Sequence, residues 1–126
     1  MNDRPIRVLL VDDEPDFVDM LALRLEGANM HVQCAGGGAE CLQLLGKDHF
    51  DVLVLDLLMP EMNGVATLEE IRRRNNDIEV IIMTGHGPAQ DLARCEELGA
   101  YATLLKPADF DQVLLAIRGA FNAYKA

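Results

Sequence analysis

Ile6-Arg7-Val8-Leu9-Leu10-Val11-Asp12-Asp13-Glu14-Pro15 carries an aliphatic run straight into a cluster of acids. A strand with one wet face alternates apolar and polar residues. Ile6 to Val11 reads as a continuous aliphatic run without that alternation, so this strand is predicted to be buried on both faces, as in a parallel sheet covered by helices. Asp12 to Pro15 ends it. From Asp16 to Glu26, Phe17, Val18, Leu21 and Leu25 recur at helical spacing, with Gly27 as the predicted stop.

The same unit repeats downstream. Met30 to Ala35 is a short strand, Gly36-Gly37-Gly38 a turn, and Ala39 to Lys47 a helix with Cys41, Leu42 and Leu45 on one face. Val52 to Leu55 is a second fully apolar strand, ending at Asp56. Asn63 and Gly64 begin a third helix, with Val65, Leu68 and Ile71 inward and Arg72-Arg73-Arg74 outward as a solvated helix end. Val80 to Met83 is a strand ending at Thr84. Pro88 suits the first turn of a fourth helix running to Leu98, with Gly99 as its stop. Tyr101 to Leu105 leads into Lys106-Pro107. The last helix carries Phe110, Val113, Leu114, Ile117, Phe121 and Tyr124 at its 3.6 period. Five β-α units predict an α/β fold: a doubly wound parallel sheet with helices on both faces, formed by residues 1–126 as one domain.

Composition narrows the function. Half of the 126 residues are hydrophobic and 5% aromatic, with no Trp, so the core must be aliphatic. Twenty-one acids against 11 bases give a formal charge of −10. That surface repels phosphate backbones and anionic lipids, so no direct nucleic-acid or membrane binding is expected of this segment. No apolar run approaches the roughly 20 residues of a spanning helix, and Met1-Asn2-Asp3-Arg4-Pro5 lacks an apolar signal region. Cys34, Cys41 and Cys95 form no CxxC pair and read as free thiols in a reducing cytoplasm. Gly36-Gly37-Gly38 is not GxGxxG and reads as a turn rather than a nucleotide loop.

Four strands end in reactive side chains: Asp12-Asp13, Asp56, Thr84 and Lys106. In a parallel sheet the carboxyl ends share one edge, and ligands bind there where the strand order reverses. Taken singly, each residue has a structural explanation: a turn or N-cap aspartate, a strand-ending threonine, a surface lysine. Taken together they converge on one small area. Three carboxylates there would repel, raising the pKa of at least one, and Mg2+ with its preference for hard oxygen would relieve the conflict. Lys106 and Thr84 suit phosphoryl oxygens, and a carboxylate can be the nucleophile that makes an aspartyl phosphate.

These residues resemble the receiver domains of bacterial two-component response regulators, over about Ile6 to Tyr124. Val8-Leu9-Leu10-Val11-Asp12-Asp13-Glu14 is similar to the family's acidic pair. Leu53 to Gly64 is similar to its phosphoacceptor stretch, Ile81-Ile82-Met83-Thr84-Gly85-His86 to its switch threonine, and Gly99-Ala100 with Lys106-Pro107 to its lysine motif. The resemblance implies a flavodoxin-like sheet of order 2-1-3-4-5. It makes Asp56 the phosphoacceptor and gives Mg2+ ligation to Asp13, Asp56 and the backbone carbonyl of Leu58. Asp12 would act through a metal-bound water, Thr84 and Lys106 would bind the phosphoryl group, and the Lys106-Pro107 bond would be cis. It implies a phosphoacceptor signalling domain rather than an enzyme with an external substrate. The partners would be a sensor histidine kinase or phosphotransfer protein and a downstream protein target or output domain, in the cytoplasm. A phosphorylation-linked dimer is one arrangement the resemblance allows. The chain's last residue, Ala126, suits both a stand-alone regulator and one domain of a longer protein.

The chain departs from the family at Thr103, where Tyr or Phe is usual, and at Ala108, where Phe is common. His86 sits between Gly85 and Gly87, and is read together with Gly85 as a loop modulator of phosphate lifetime. Tyr101 shares a strand face with Thr103 and Leu105 and is the candidate for a displaced switch aromatic. The expected output is a change in the Thr84–Pro88 loop and the following helix, read by the face of the fourth helix, last strand and last helix. Two other functions compete. One is a non-phosphorylated interaction module. The other is an Asp-nucleophile phosphohydrolase, which would need an acid/base at position 58, where this chain has Leu58.

Overall fold

The computed structural model describes residues 4–85 and 87–125, with side chains through 123. His86 and the Tyr124 side chain, both assigned roles above, lie outside the described residues. Five strands form one parallel sheet: β1 (Arg7–Val11), β2 (His31–Ala35), β3 (Val52–Leu55), β4 (Glu79–Thr84) and β5 (Ala102–Leu105), in the order β2-β1-β3-β4-β5. They alternate with helices α1 (Pro15–Gly27), α2 (Gly38–Lys47), α3 (Gly64–Arg73), α4 (Ala89–Glu97) and α5 (Phe110–Lys125).

The uninterrupted apolar strands are explained by what covers them. Val8, Leu10, Val52, Val54, Ile81 and Met83 face one layer with Leu21 and Leu25 of α1 and Ile117 and Phe121 of α5. Leu9, Val11, Leu53, Leu55, Val80 and Ile82 face the other, with Leu42 of α2, Leu68 and Ile71 of α3 and Cys95 of α4. Each of β1, β3 and β4 therefore splits with period 2 between two cores, and a fully buried aliphatic side chain contributes about 1.5–3 kcal/mol. Strand β5, at the sheet's edge, differs. Tyr101, Thr103 and Leu105 are exposed and Ala102, Leu104 and Lys106 partly buried, the alternation expected of it.

Two expectations are corrected at helix ends. Gly27 is not the stop of α1 but its last helical residue, and the left-handed residue is Asn29, at φ 65°. The Asn29 amide donates to Glu26 O and the Met30 amide to Leu25 O, while the side chains of Leu25 and Met30 are buried in one cluster. Helices α3 and α4 end in the same way at Asn75 (φ 62°) and Gly99 (φ 83°). The second correction concerns Arg72. Arg73 and Arg74 are exposed and pair with Glu70, but Arg72 turns inward. Its guanidinium donates to the carbonyls of Leu98 (2.7 Å), Ile78 (2.8 Å) and Asn76 (3.0 Å), tying the ends of α3 and α4 to the start of β4. Five planar donors suit that task better than solvation does.

A buried acid lies at the opposite edge of the sheet from the strand-end cluster. Asp51 is fully buried, accepting from Arg4 through both oxygens at 2.7 Å, from the Arg7 amide at 2.8 Å and from His49 at 3.2 Å. Burial pushes its pKa up, but the Arg4 guanidinium, the Arg7 amide and His49 outweigh that and hold the carboxyl below its ordinary value. Cys34, Cys41 and Cys95 are unpaired. Burial pushes the Cys41 thiol up to about 12, and burial with Asp91 and Glu69 nearby pushes Cys95 to about 11, so both stay protonated at neutral pH.

Candidate phosphoryl-acceptor site

Register places the strand-end residues. Val11 pairs with Leu55, so Asp12 and Asp56 leave neighbouring strands side by side, at the point where the sheet order reverses. Thr84 pairs with Leu105, and the Lys106 amide donates to Thr84 O at 2.9 Å, which brings Lys106 to the same edge. The four elements converge as expected.

One carboxylate oxygen from each of Asp12, Asp13 and Asp56 lies within 4.8 Å of the others. Asp12 and Asp56 are buried and Asp13 is exposed. The Lys106 ammonium reaches Asp12 Oδ2 at 2.6 Å, Glu14 Oε1 at 3.1 Å and Asp56 Oδ2 at 3.5 Å. Burial, then the neighbouring Asp12, raises the Asp56 pKa against the pull of Lys106 and the Leu58 amide, which donates to Oδ1 at 3.3 Å. The shift has the direction expected of clustered acids, but burial is its main cause and the repulsion from Asp12 a lesser one. Burial opposes the charge on Lys106, but its bonds to Asp12 and Glu14 and the fields of Asp12 and Asp56 prevail, so its pKa is raised.

The donor set fits a hard divalent cation: three carboxylates close together with only one ammonium among them. Thr84 adds an independent observation. It is fully buried, yet its Oγ1 has no hydrogen-bond partner among the described residues. A buried, unpaired hydroxyl is costly, and at a functional site it marks a place where a ligand atom completes the pairing.

The segment after Asp56 is held tightly. Asn63 caps α3 by accepting from the Ala66 amide at 2.8 Å. The Gly64 amide donates to Leu57 O at 2.9 Å. A Cβ on Gly64 would come within 2.5 Å of Asp56 O, so only glycine lets α3 start this close to the end of β3. Between them Glu61 holds a left-handed φ of 68°, uncommon for a residue with a Cβ.

Other candidates from the sequence fall around this centre. The Leu58 side chain is half exposed and has no proton to exchange. A Cβ on Gly85 would meet Lys106 Cβ at 3.8 Å, in ordinary van der Waals contact. Ala108 packs, partly buried, under the α1/α5 layer. The Lys106-Pro107 bond is cis. Tyr101 does not lean toward the site: its hydroxyl lies directly over Gly119 of α5, where no Cβ would fit. Sequence reading passed over two residues that the structure puts at Lys106. They are Glu14 and Phe17, whose ring centroid is 4.5 Å from Lys106 Nζ. Both sit at the start of α1, where they read simply as a turn acid and a core residue.

Comparison with known proteins agrees with this geometry. A family model described as the response regulator receiver domain matches residues 8–118. The chain is 37% identical over 122 residues to the transcriptional regulatory protein GlrR of Escherichia coli K12, covering 97% of this chain and 28% of that protein. It is 34% identical over 118 residues to the DNA-binding transcriptional regulator NtrC of the same organism, covering 94% and 25%. It thus spans about a quarter of the length of these relatives. A receiver domain protein from Clostridium thermocellum superposes with a TM-score of 0.89 at 30% identity, covering 95% of this chain and 97% of that one. A CheY-like receiver domain from Methanospirillum hungatei gives 0.92 at 24% identity, covering 96% and 97%, a likeness of fold. With the matched family model spanning the four strand-end motifs, the chain belongs to the receiver domains of two-component response regulators and has their phosphoacceptor signalling role.

Proposed function

We propose that Asp56 is the residue phosphorylated, and that Asp12, Asp13, Asp56 and the carbonyl of Leu58 hold the Mg2+ that receiver domains use. The observation carrying this reading is the convergence of three carboxylates beside one ammonium and one unpartnered buried hydroxyl. Asp12 shares the switch point between β1 and β3 and lies nearer Lys106; what favours Asp56 as the acceptor is the similarity of Leu53 to Gly64 to the family's phosphoacceptor stretch. Mg2+ held in the cluster would supply the charge neutralisation that lets an anionic donor approach Asp12, Asp13, Asp56 and the neighbouring Glu14.

The chain's own residues do the rest. An Asp56 carboxylate oxygen forms a bond to phosphorus. The P–N bond of a phosphohistidine donor, or the P–O bond of a small acyl phosphate, breaks, and its electron pair leaves with the imidazole or the carboxylate. Lys106 transfers an N–H from a carboxylate to a phosphoryl oxygen, and Thr84 donates its hydroxyl to another. The donor is then a sensor histidine kinase or a phosphotransfer protein. The receiver of the signal is an output domain or a separate protein, docked on the α4-β5-α5 face that borders Thr84 and Lys106. The loop before α4, with Gly85 and His86, sets the lifetime of the phosphate. Because Tyr101 is engaged over Gly119, movement is assigned to the 84–88 loop and α4 rather than to a rotating ring. Among the described residues no helix is long and apolar enough to cross a membrane, and the proposed setting is the cytoplasm. Leu58, with no proton to exchange, disfavours turnover of external phosphate esters.

The test is labelling with acetyl phosphate and Mg2+. Wild type should take one hydroxylamine-sensitive phosphoryl group, and Asp56→Asn, with its fold retained by circular dichroism, should take none. Full labelling of Asp56→Asn would move the assignment to Asp12 or Asp13.

A further inference from the structure

In the unphosphorylated chain the Lys106 ammonium is fully engaged. It has three N–H donors, and Asp12, Glu14 and Asp56 lie at 2.6, 3.1 and 3.5 Å. Its remaining side is covered by the face of Phe17, 4.5 Å from Nζ to the ring centroid. Glu14 and Phe17 lie three residues apart at the start of α1. Glu14 occupies the N-cap position yet makes no side-chain bond to the helix amides, because its carboxylate is turned to Lys106 instead. Its amide donates to Asp12 Oδ1 at 3.0 Å, which fixes the backbone from which that carboxylate reaches out.

Building on the reading of Asp56 as acceptor, we propose that Glu14 and Phe17 are positioning residues that form a holding station for Lys106. Glu14 competes with the incoming phosphoryl group for the ammonium, and Phe17 keeps the ammonium in place while its donors are exchanged. A phosphoryl oxygen needs one N–H, and the bond that yields is the one to Glu14. Of the two shorter bonds it is the more exposed, its side chain being 64% exposed and that of Asp12 3%, and an exposed ion pair is the weaker of the two; the longer contact to Asp56, at 3.5 Å, belongs to the acceptor itself. The ring contact uses no N–H, so it persists through the exchange. The carboxylate of Glu14 also adds negative potential where an anionic donor must enter. Glu14 thereby holds down the rate of phosphorylation, and Phe17 supports it.

The experiment compares wild type, Glu14→Gln, Phe17→Leu and Phe17→Tyr, with Glu26→Gln as a control for net charge at the far end of α1. Acetyl phosphate should label Glu14→Gln about two- to five-fold faster than wild type, the range an exposed ion pair of up to about 1 kcal/mol allows. The gain should shrink with added salt and be absent in Glu26→Gln. Phe17→Leu should label about two- to five-fold more slowly, and Phe17→Tyr should restore the rate because it keeps the ring face. A second readout needs no phosphorylation. The chain has three lysines, Lys47, Lys106 and Lys125, so the ε-methylene resonances are assignable. In metal-free protein those of Lys106 should carry an upfield ring-current shift that Phe17→Leu removes and Phe17→Tyr retains. Should Asp56 of wild type take no label, the acceptor reading falls and this proposal with it. Should wild type be labelled while Glu14→Gln matches it in rate, or Lys106 show no ring-current shift, the proposal alone is overturned.

Discussion

Replacing Thr84 with Val should stabilise the resting domain and weaken its phosphorylated form. Val has nearly the volume of Thr and the same β-branched backbone preference, so the substitution removes one buried oxygen and little else. That oxygen has no partner in a residue that is 0% exposed. A buried, unpaired hydroxyl costs about 1–3 kcal/mol, and the apolar replacement recovers most of it. At about 2.1 cal/mol/K of unfolding entropy per residue, a chain of 126 residues shifts by about 4 °C for each kcal/mol. Thr84→Val should therefore melt about 4–8 °C above wild type in EDTA, followed by circular dichroism. With Mg2+ and fluoroberyllate as a phosphoryl mimic, wild type gains a hydroxyl bond to a charged ligand, worth about 1.5–3 kcal/mol. The variant lacks that bond, so its affinity for the mimic should fall by roughly ten-fold or more. A variant that melts below wild type in EDTA would refute the reasoning, because the hydroxyl would then have a partner in the resting state.

Asp13→Ala should remove most Mg2+ binding, measured by titration calorimetry, while Asp51→Asn leaves it intact because Asp51 lies at the other edge of the sheet. Asp51→Asn should instead cost about 2 kcal/mol at neutral pH by losing charge-assisted bonds to Arg4 and the Arg7 amide. The folded pKa of Asp51 is depressed, so its stabilisation is present above the ordinary carboxylate pKa and lost as pH falls through the folded value. Urea melts of the two proteins should diverge at pH 7 and converge only as pH falls through the folded value, which lies below the ordinary carboxylate pKa. Arg72→Ala should expose the Leu98 and Ile78 carbonyls, costing about 1–3 kcal/mol, with faster hydrogen exchange at Gly99 and Ala100 ahead of the global transition.

The sequence by itself determined the sheet and the chemistry at its edge. Two-faced burial leaves an unalternating strand, visible in Val8–Val11 and Val52–Leu55 without any neighbour being known. A parallel arrangement then sends Asp12, Asp56, Thr84 and Lys106 to one edge whatever their separation in the chain. What only the tertiary structure decided are pairings between elements whose adjacency no local pattern encodes. Arg72 looked like one of three solvated arginines until α4 ended beside it. Nothing in the sequence singled out Asp51, which Arg4 and the Arg7 amide enclose. Asn29, not Gly27, takes the left-handed conformation after α1, because that cap depends on where Met30 must pack. Thr84 was recognisable as a hydroxyl, but its lack of a partner is a property of everything around it. Glu14 and Phe17 came to matter only when Lys106, 92 positions from Glu14, folded over the first turn of α1. Period and composition record which face of an element meets the core; they carry no record of which side chain waits on the other side.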